Sequence, residues 1–138
     1  MMPRRAAGGN PASTAAVNEV IERAKRFARQ KDWKQARSEL LLCALGAVSN
    51  EDGGRAHAYL AQAEYMLGDL PRAKRYAQMA IDLLPADRKE YWPAVDMADD
   101  VLHEIDWNCR HPNPWPYQLL LHWLGNWLHG RHRLSRAL

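Results

Sequence analysis

The side chains best suited to chemistry are concentrated at the end of the chain. Four of the six histidines and four of the six tryptophans lie within the last 32 residues. His122, His129 and His132 follow one another at helical spacings, and histidines spaced in this way can bind a metal ion. However, no acidic residue follows Asp106, and Cys109 precedes three prolines. We therefore predict no metal or haem site and no cofactor, and we expect a polar histidine face that responds to pH.

Signatures of catalysis are missing from the sequence. There is no glycine-rich phosphate loop, no nucleophile elbow and no paired-carboxylate motif. The densest group of acids lies between residues 96 and 106, on what we expect to be the solvated side of a helix. These acids are Asp96, Asp99, Asp100, Glu104 and Asp106. We predict that the protein is not an enzyme.

The composition is that of one helical domain. The chain has 138 residues, of which 47% are hydrophobic and 25% charged, with one phenylalanine and many alanines and leucines. No apolar run is long enough to span a bilayer. Cys43 lies at a small, core-facing position, so we expect no disulfide and a cytoplasmic location. Residues 1–15 lack the apolar segment of a secretory signal; we expect a disordered leader, with a transit peptide as the alternative.

Charge is distributed unevenly along the chain. Residues 17–106 hold 13 basic and 16 acidic side chains, whereas residues 107–138 hold four arginines and no acid. A cationic end is consistent with an acidic protein, a membrane surface or a nucleic acid as partner, or with a solvated terminus. The arginine cluster is short and the rest of the chain is mildly acidic, so nucleic acid is not favoured.

Helices are expected to position the histidine-rich and charged segments described above. Apolar residues at helical spacing predict helices near 16–30, 33–48, 55–67, 71–84, 89–105 and 117–132. Ser49 to Gly54 have the composition of a loop, and the prolines of residues 107–116 predict a stiff connector.

The third and fourth predicted helices form a unit that occurs twice. Residues 56–87, AHAYLAQAEYMLGDLPRAKRYAQMAIDLLPAD, contain two helices joined by Gly68-Asp69 and closed by a proline. The pattern recurs 37 residues upstream, where Ala24, Ala36, Leu40 and Cys43 correspond to Ala61, Ala73, Ala77 and Ala80. This period is typical of stacked helix pairs, and such surfaces usually bind other proteins.

The repeated unit resembles a tetratricopeptide repeat. The second unit carries the resemblance through Leu60, Ala61, Gly68, Asp69, Ala73, Ala77, Ala80 and Pro85, and the first through Ala24, Phe27, Asp32, Ala36 and Leu40. His57 and Glu64 depart from the family pattern. The resemblance covers roughly residues 17–106 and implies an all-α solenoid at residues 16–106, with two antiparallel helix pairs and a fifth, capping helix.

The resemblance also implies a concave, partner-binding groove. The residues that fall there are Asn18, Ile21, Lys25, Arg29, Arg55, Gln62, Tyr65, Met66, Lys89 and Trp92. Four of them are basic, which favours an acidic peptide or a C-terminal carboxylate, the alternative being a solvated basic face. Only Lys89 matches the carboxylate-binding set of chaperone-binding members, so chaperone binding is not predicted.

The predicted last helix, followed by a basic tail to residue 138, is strongly amphipathic. Its apolar anchors, with those of the connector, are Trp115, Tyr117, Leu120, Leu121, Trp123, Leu124, Trp127 and Leu128. Such a face favours burial, for which three alternatives remain open. The helix packs on its own chain, inserts into a partner or a second copy, or lies in a membrane interface.

Together these observations predict a non-catalytic adaptor or assembly subunit. It would bind a polypeptide through the groove, the last helix or both, alone or as part of a larger or homo-oligomeric complex. The alternative is a peripheral membrane protein anchored by the tryptophan-rich helix.

Overall fold

The protein is all-helical, as the composition predicts. The structure, a computed structural model, describes residues 11–47 and 49–128. Its six helices are α1 (Pro11–Arg29), α2 (Trp33–Gly46), α3 (Asn50–Leu67), α4 (Leu70–Leu83), α5 (Trp92–Arg110) and α6 (Pro116–Leu128), and a 3-10 turn, Lys89–Tyr91, precedes α5. Within these residues there is no strand. None of the described helices combines the length and the apolar character needed to cross a membrane.

The first five helices pack on their neighbours in chain order. α1 contacts α2 and α3, while α3 also contacts α2, α4 and α5. Short turns join α1 to α2 and α3 to α4, so each pair folds back on itself. One core cluster lies among α1, α2 and α3, around Ile21, Leu40 and Leu60. A second joins α3, α4 and α5 around Ala77, Ala98 and Val101.

Small side chains bring α4 close to its neighbours. Ala73, Ala77 and Ala80 are completely buried, which confirms the prediction that this alanine row faces the core. Ala36 and Leu40 occupy the corresponding positions of α2 and are also buried. The two helix pairs therefore bury the same face of their second helices.

The turns inside the two pairs are also alike. The carboxylate of Asp32 accepts a hydrogen bond from the Gln35 N–H, and that of Asp69 accepts one from the Arg72 N–H. These caps satisfy backbone donors that the first turn of a helix leaves unpaired. Gly68 ends α3 with φ at 92°. Lys31, at the corresponding place, has φ at 61° and adopts the left-handed conformation without being glycine.

The predicted loop at residues 49–54 is wrong, because α3 begins at Asn50. The Ser49 hydroxyl caps the helix by accepting a hydrogen bond from the Asp52 N–H at 3.1 Å. Gly53 and Gly54, which indicated a loop, lie inside the helix and are buried. A Cβ atom on Gly54 would lie 2.7 Å from Cγ of Leu84. This glycine is therefore required by close helix packing and not by a turn.

Other predicted boundaries also move. α1 is described from Pro11, so residues 11–15 of the expected leader are helical, and its first ten residues lie outside the described part of the chain. α5 continues to Arg110, past the predicted end at Ile105, and this shortens the connector to residues 111–115. α6 is described as far as Leu128; the predicted end at residue 132 and the basic tail lie outside the described residues.

Candidate functional site

An open groove lies between the first helices of the two pairs and α5. Its volume is about 470 Å³. It is lined by Lys25, Ala28, Arg29, Tyr59, Gln62, Pro93, Asp96 and Met97. α6 contributes no residue to this lining. The groove is therefore not filled by the described part of the chain's own tail.

Charge in the groove is divided between its two sides. Lys25 and Arg29 come from α1, and the Nζ atom of Lys25 lies 5.2 Å from the centre of the Tyr59 ring. Asp96 faces them from α5. Partial burial raises the pKa of the neighbouring Asp99, and the carboxylate of Asp96 adds to this rise. The expectation of a basic groove is therefore corrected, because the lining contains Lys25 and Arg29 on α1 and Asp96 on α5.

The predicted groove residues divide into three groups. Lys25, Arg29 and Gln62 line the groove. Ile21 and Tyr65 do not, since each is only 2% exposed. Ile21 belongs to the core cluster of α1 to α3, and Tyr65 packs against α5. The predicted list was wrong for these two because a helix face that lies beside a groove also contains the residues that hold the helices together.

The other five predicted residues do not line the groove. Asn18 borders a separate depression on α1, and Met66 is half-buried beside the core. Arg55 is held near Asp52, with 3.7 Å between the charged atoms. Lys89 and Trp92 lie exposed at the start of α5, where Lys89 is placed over the Trp92 ring at 6.0 Å.

α6 docks on the C-terminal half of α5 through its polar side. Nε2 of His122 lies 2.9 Å from Oε2 of Glu104. The side-chain amide of Asn126 donates to Oε1 of Glu104 at 2.6 Å, and Asn126 is only 2% exposed. The ring of Trp107 stacks on that of His122 with 3.9 Å between centroids. The polar face of α6 is therefore the buried one.

Glu104 is the centre of this contact. The prediction that all acids of α5 lie on a solvated face is wrong, because Glu104 is 3% exposed and Asp100 8% exposed. The Tyr65 hydroxyl also donates toward the Glu104 carboxylate, at 3.5 Å. Burial of a carboxylate is costly unless charge and hydrogen bonds compensate it. α6 supplies much of that compensation.

The apolar face of α6 points outward. The exposed anchors are Trp115, Tyr117, Leu120, Leu121, Leu124, Trp127 and Leu128, with Leu128 at 80% the most exposed among them. Trp123 is half-buried and stacks with Trp127 at 6.0 Å. The alternative in which this face packs on the chain's own helices is therefore not what the structure shows. α6 does fold back on α5, but with its polar side inward and its apolar side outward.

A group of potential metal ligands lies in the same contact. One ligand atom each from His103, Glu104 and His122 can be chosen so that all three lie within 4.8 Å of one another. The sequence predicts no metal site because no acid lies near the last histidines. In the structure, however, α5 supplies the acid Glu104 across its contact with α6. The spacing between residues 104 and 122 has no periodic signal that could have revealed this pairing.

No protein-family model, no curated protein and no solved structure matches this chain.

Proposed function

We propose that the protein is a non-catalytic adaptor whose helix pairs form a tetratricopeptide-like solenoid. In this proposal the groove between α1, α3 and α5 holds an extended segment of a partner protein. The observation that carries it is the open groove of about 470 Å³. The repeated caps at Asp32 and Asp69 and the matching buried faces of α2 and α4 support the solenoid arrangement.

The lining of the groove indicates what kind of segment it would bind. Tyr59 and Met97 provide apolar contact, and the Gln62 amide can donate to and accept from a peptide backbone. Lys25 and Arg29 would pair with a carboxylate, either an acidic side chain or a C-terminus. The carboxylate of Asp96 disfavours a second acidic group of the peptide on the α5 side of the groove. We therefore expect a peptide that carries its negative charge at one end.

Charge reversal tests the groove directly. Peptides that bind the full chain would first be selected from a random library. Their affinities for the parent and for Arg29→Glu would then be compared by fluorescence polarisation. Arg26→Glu is the matched control, because Arg26 is an exposed arginine of the same helix outside the groove. We expect Arg29→Glu to weaken binding at least about tenfold, which corresponds to about 1.4 kcal/mol. If both variants bind like the parent, the groove does not hold the peptide.

A second candidate function, peripheral membrane attachment, is favoured by the outward apolar face of α6. Leucines and a tryptophan on an exposed helix suit the headgroup boundary of a bilayer. Helices at a membrane surface usually carry lysine or arginine on the polar face, whereas the polar face of α6 carries His122, which argues against this location. His122, however, is directed to Glu104 and not to the lipid side, so this objection is weaker in the structure.

Liposome flotation distinguishes the two functions. Leu121→Glu and Leu128→Glu should abolish flotation with anionic vesicles if α6 is the anchor. The controls are Leu42→Glu and Leu45→Glu, since both leucines are highly exposed but lie on α2. If the parent protein does not float, or if the α2 variants lose flotation to the same extent, the membrane function is excluded. Peptide capture by the groove should not respond to either pair.

A further inference from the structure

We propose that His103, Glu104 and His122 form a zinc site that fastens α6 to α5. The first reason is the composition of the ligand set. Two imidazoles and one carboxylate are among the ligand sets that proteins use for Zn²⁺. The residues come from two helices, so a metal ion bound by all three would link the helices directly.

The distances are close to those of a shared metal ion. Zn²⁺ binds imidazole nitrogen and carboxylate oxygen at about 2.0–2.2 Å, so two ligands in a tetrahedral shell lie about 3.4 Å apart. Nε2 of His122 and Oε2 of Glu104 are already 2.9 Å apart. No separation within the set exceeds 4.8 Å. His103 is exposed, and its ring stacks on that of His122 with 6.1 Å between centroids, so a change of rotamer can bring its nitrogen nearer.

The second reason is the charge around Glu104. Of the three other buried acids of the described chain, Glu64 is paired to Arg37 and Asp52 to Arg55. The partners that the structure gives the Glu104 carboxylate are Tyr65, His122 and Asn126. Of these only His122 can carry a positive charge, and it does so only when protonated. A divalent cation would compensate the carboxylate while leaving His122 neutral, as metal ligation requires.

The neighbours of the site fit the same assignment. The Asn126 amide donates to Oε1 of Glu104, and its nitrogen also lies 3.2 Å from Nε2 of His122, while Oε2 of Glu104 is directed at His122. Hydrogen bonds of this kind orient a ligating carboxylate. Trp107 stacks on the His122 ring and restricts its rotation. The site is therefore held in place on the Glu104 and His122 side, and His103 approaches it from the exposed surface of α5.

Zinc titration of the full chain tests the proposal. After treatment with a chelator, the parent protein should bind one Zn²⁺ per chain by isothermal titration calorimetry. His103→Ala should weaken this binding at least about 100-fold, beyond the 10–100-fold loss typical of partners outside the ligand shell. His103 is exposed, so its removal should leave the fold intact, which far-UV circular dichroism can verify. His57→Ala, a histidine substitution on α3, is the control and should bind zinc like the parent.

Imidazole NMR identifies the ligands independently. On addition of Zn²⁺, ring nitrogen signals of His103 and His122 should shift together and saturate at one equivalent. The signals of His57 should not change. The proposal is overturned if His103→Ala binds zinc as tightly as the parent, if the parent binds none, or if the ring signals of His103 and His122 do not shift.

Discussion

Two adjacent glycines of α3 should respond in opposite directions to the same substitution. Gly53 and Gly54 both lie inside the helix and both are buried. Alanine in place of glycine stabilises a helix interior by about 0.8–1.0 kcal/mol. This gain is common to both positions, so any difference between the variants reports on the space around each Cβ atom.

That space differs sharply between the two positions. The nearest atoms to a Cβ on Gly53 are Cβ of Ala47 at 3.7 Å and Cδ1 of Leu83 at 3.9 Å, which are ordinary contacts. A Cβ on Gly54 would lie 2.7 Å from Cγ and 2.8 Å from Cδ2 of Leu84, and 3.2 Å from Cβ of Leu83. Leu84 is buried, so it cannot move freely. Overpacking of this kind costs about 1–3 kcal/mol.

We therefore expect Gly53→Ala to raise the free energy of unfolding by about 0.5–1 kcal/mol. Gly54→Ala should lower it, with the two variants differing by about 1–3 kcal/mol. Urea unfolding followed by circular dichroism at 222 nm measures both, and equal m-values would show that the denatured state is unchanged. In a Leu84→Ala background the loss at Gly54 should shrink or reverse. Equal effects of the two alanines in the parent would refute the close helix contact.

Three further changes test other parts of the structure. Arg37→Met leaves the buried Glu64 carboxylate without its basic partner and should lower the free energy of unfolding by about 3–5 kcal/mol. In the same urea assay, the double variant Arg37→Met with Glu64→Leu should recover most of this loss. Burial raises the pKa of the Cys43 thiol, so a thiol reagent should modify the exposed Cys109 first at neutral pH. Equal modification rates of the two cysteines would contradict the described burial of Cys43. Asn126→Asp places a second carboxylate against the acid of α5 and should release α6, which faster amide hydrogen exchange in α6 but not in α2 would reveal.

Local patterns predict the repeated core well. The alanine row of α4 and the buried Ala36 and Leu40 of α2 follow from helical spacing, because periodicity reports which face of a helix is apolar. The start of α3 could not be predicted in the same way. Adjacent glycines occur both in loops and where two helices pack closely, so the sequence at Gly53 and Gly54 does not distinguish these structures. The position of Leu84 beside Gly54 does.

The candidate sites were predicted less completely than the core. Lys25, Arg29 and Gln62 line the groove, but the burial of Ile21 and Tyr65 depends on how α3 and α5 are placed beside them. Apolar or amphipathic residues at the edge of a helix face can belong either to the groove or to the core. Sequence spacing within one helix does not decide between these two positions.

Two requirements compete for the side of α6 that faces α5: hydrogen bonding to the Glu104 carboxylate and burial of the leucines. A short helix cannot meet both requirements with one side. The Glu104 carboxylate lies in a buried position, where each hydrogen bond to a charged group contributes about 1.5–3 kcal/mol and an unpaired charge costs several kcal/mol. The leucines of α6 would each gain about 1.5–3 kcal/mol from full burial. His122 and Asn126 lie on the opposite side of the helix from these leucines, so only one set can face α5. Because α5 presents a carboxylate there, the polar side faces inward. The apolar side is then available to a partner or a membrane, and its burial can offset part of the free-energy cost of association.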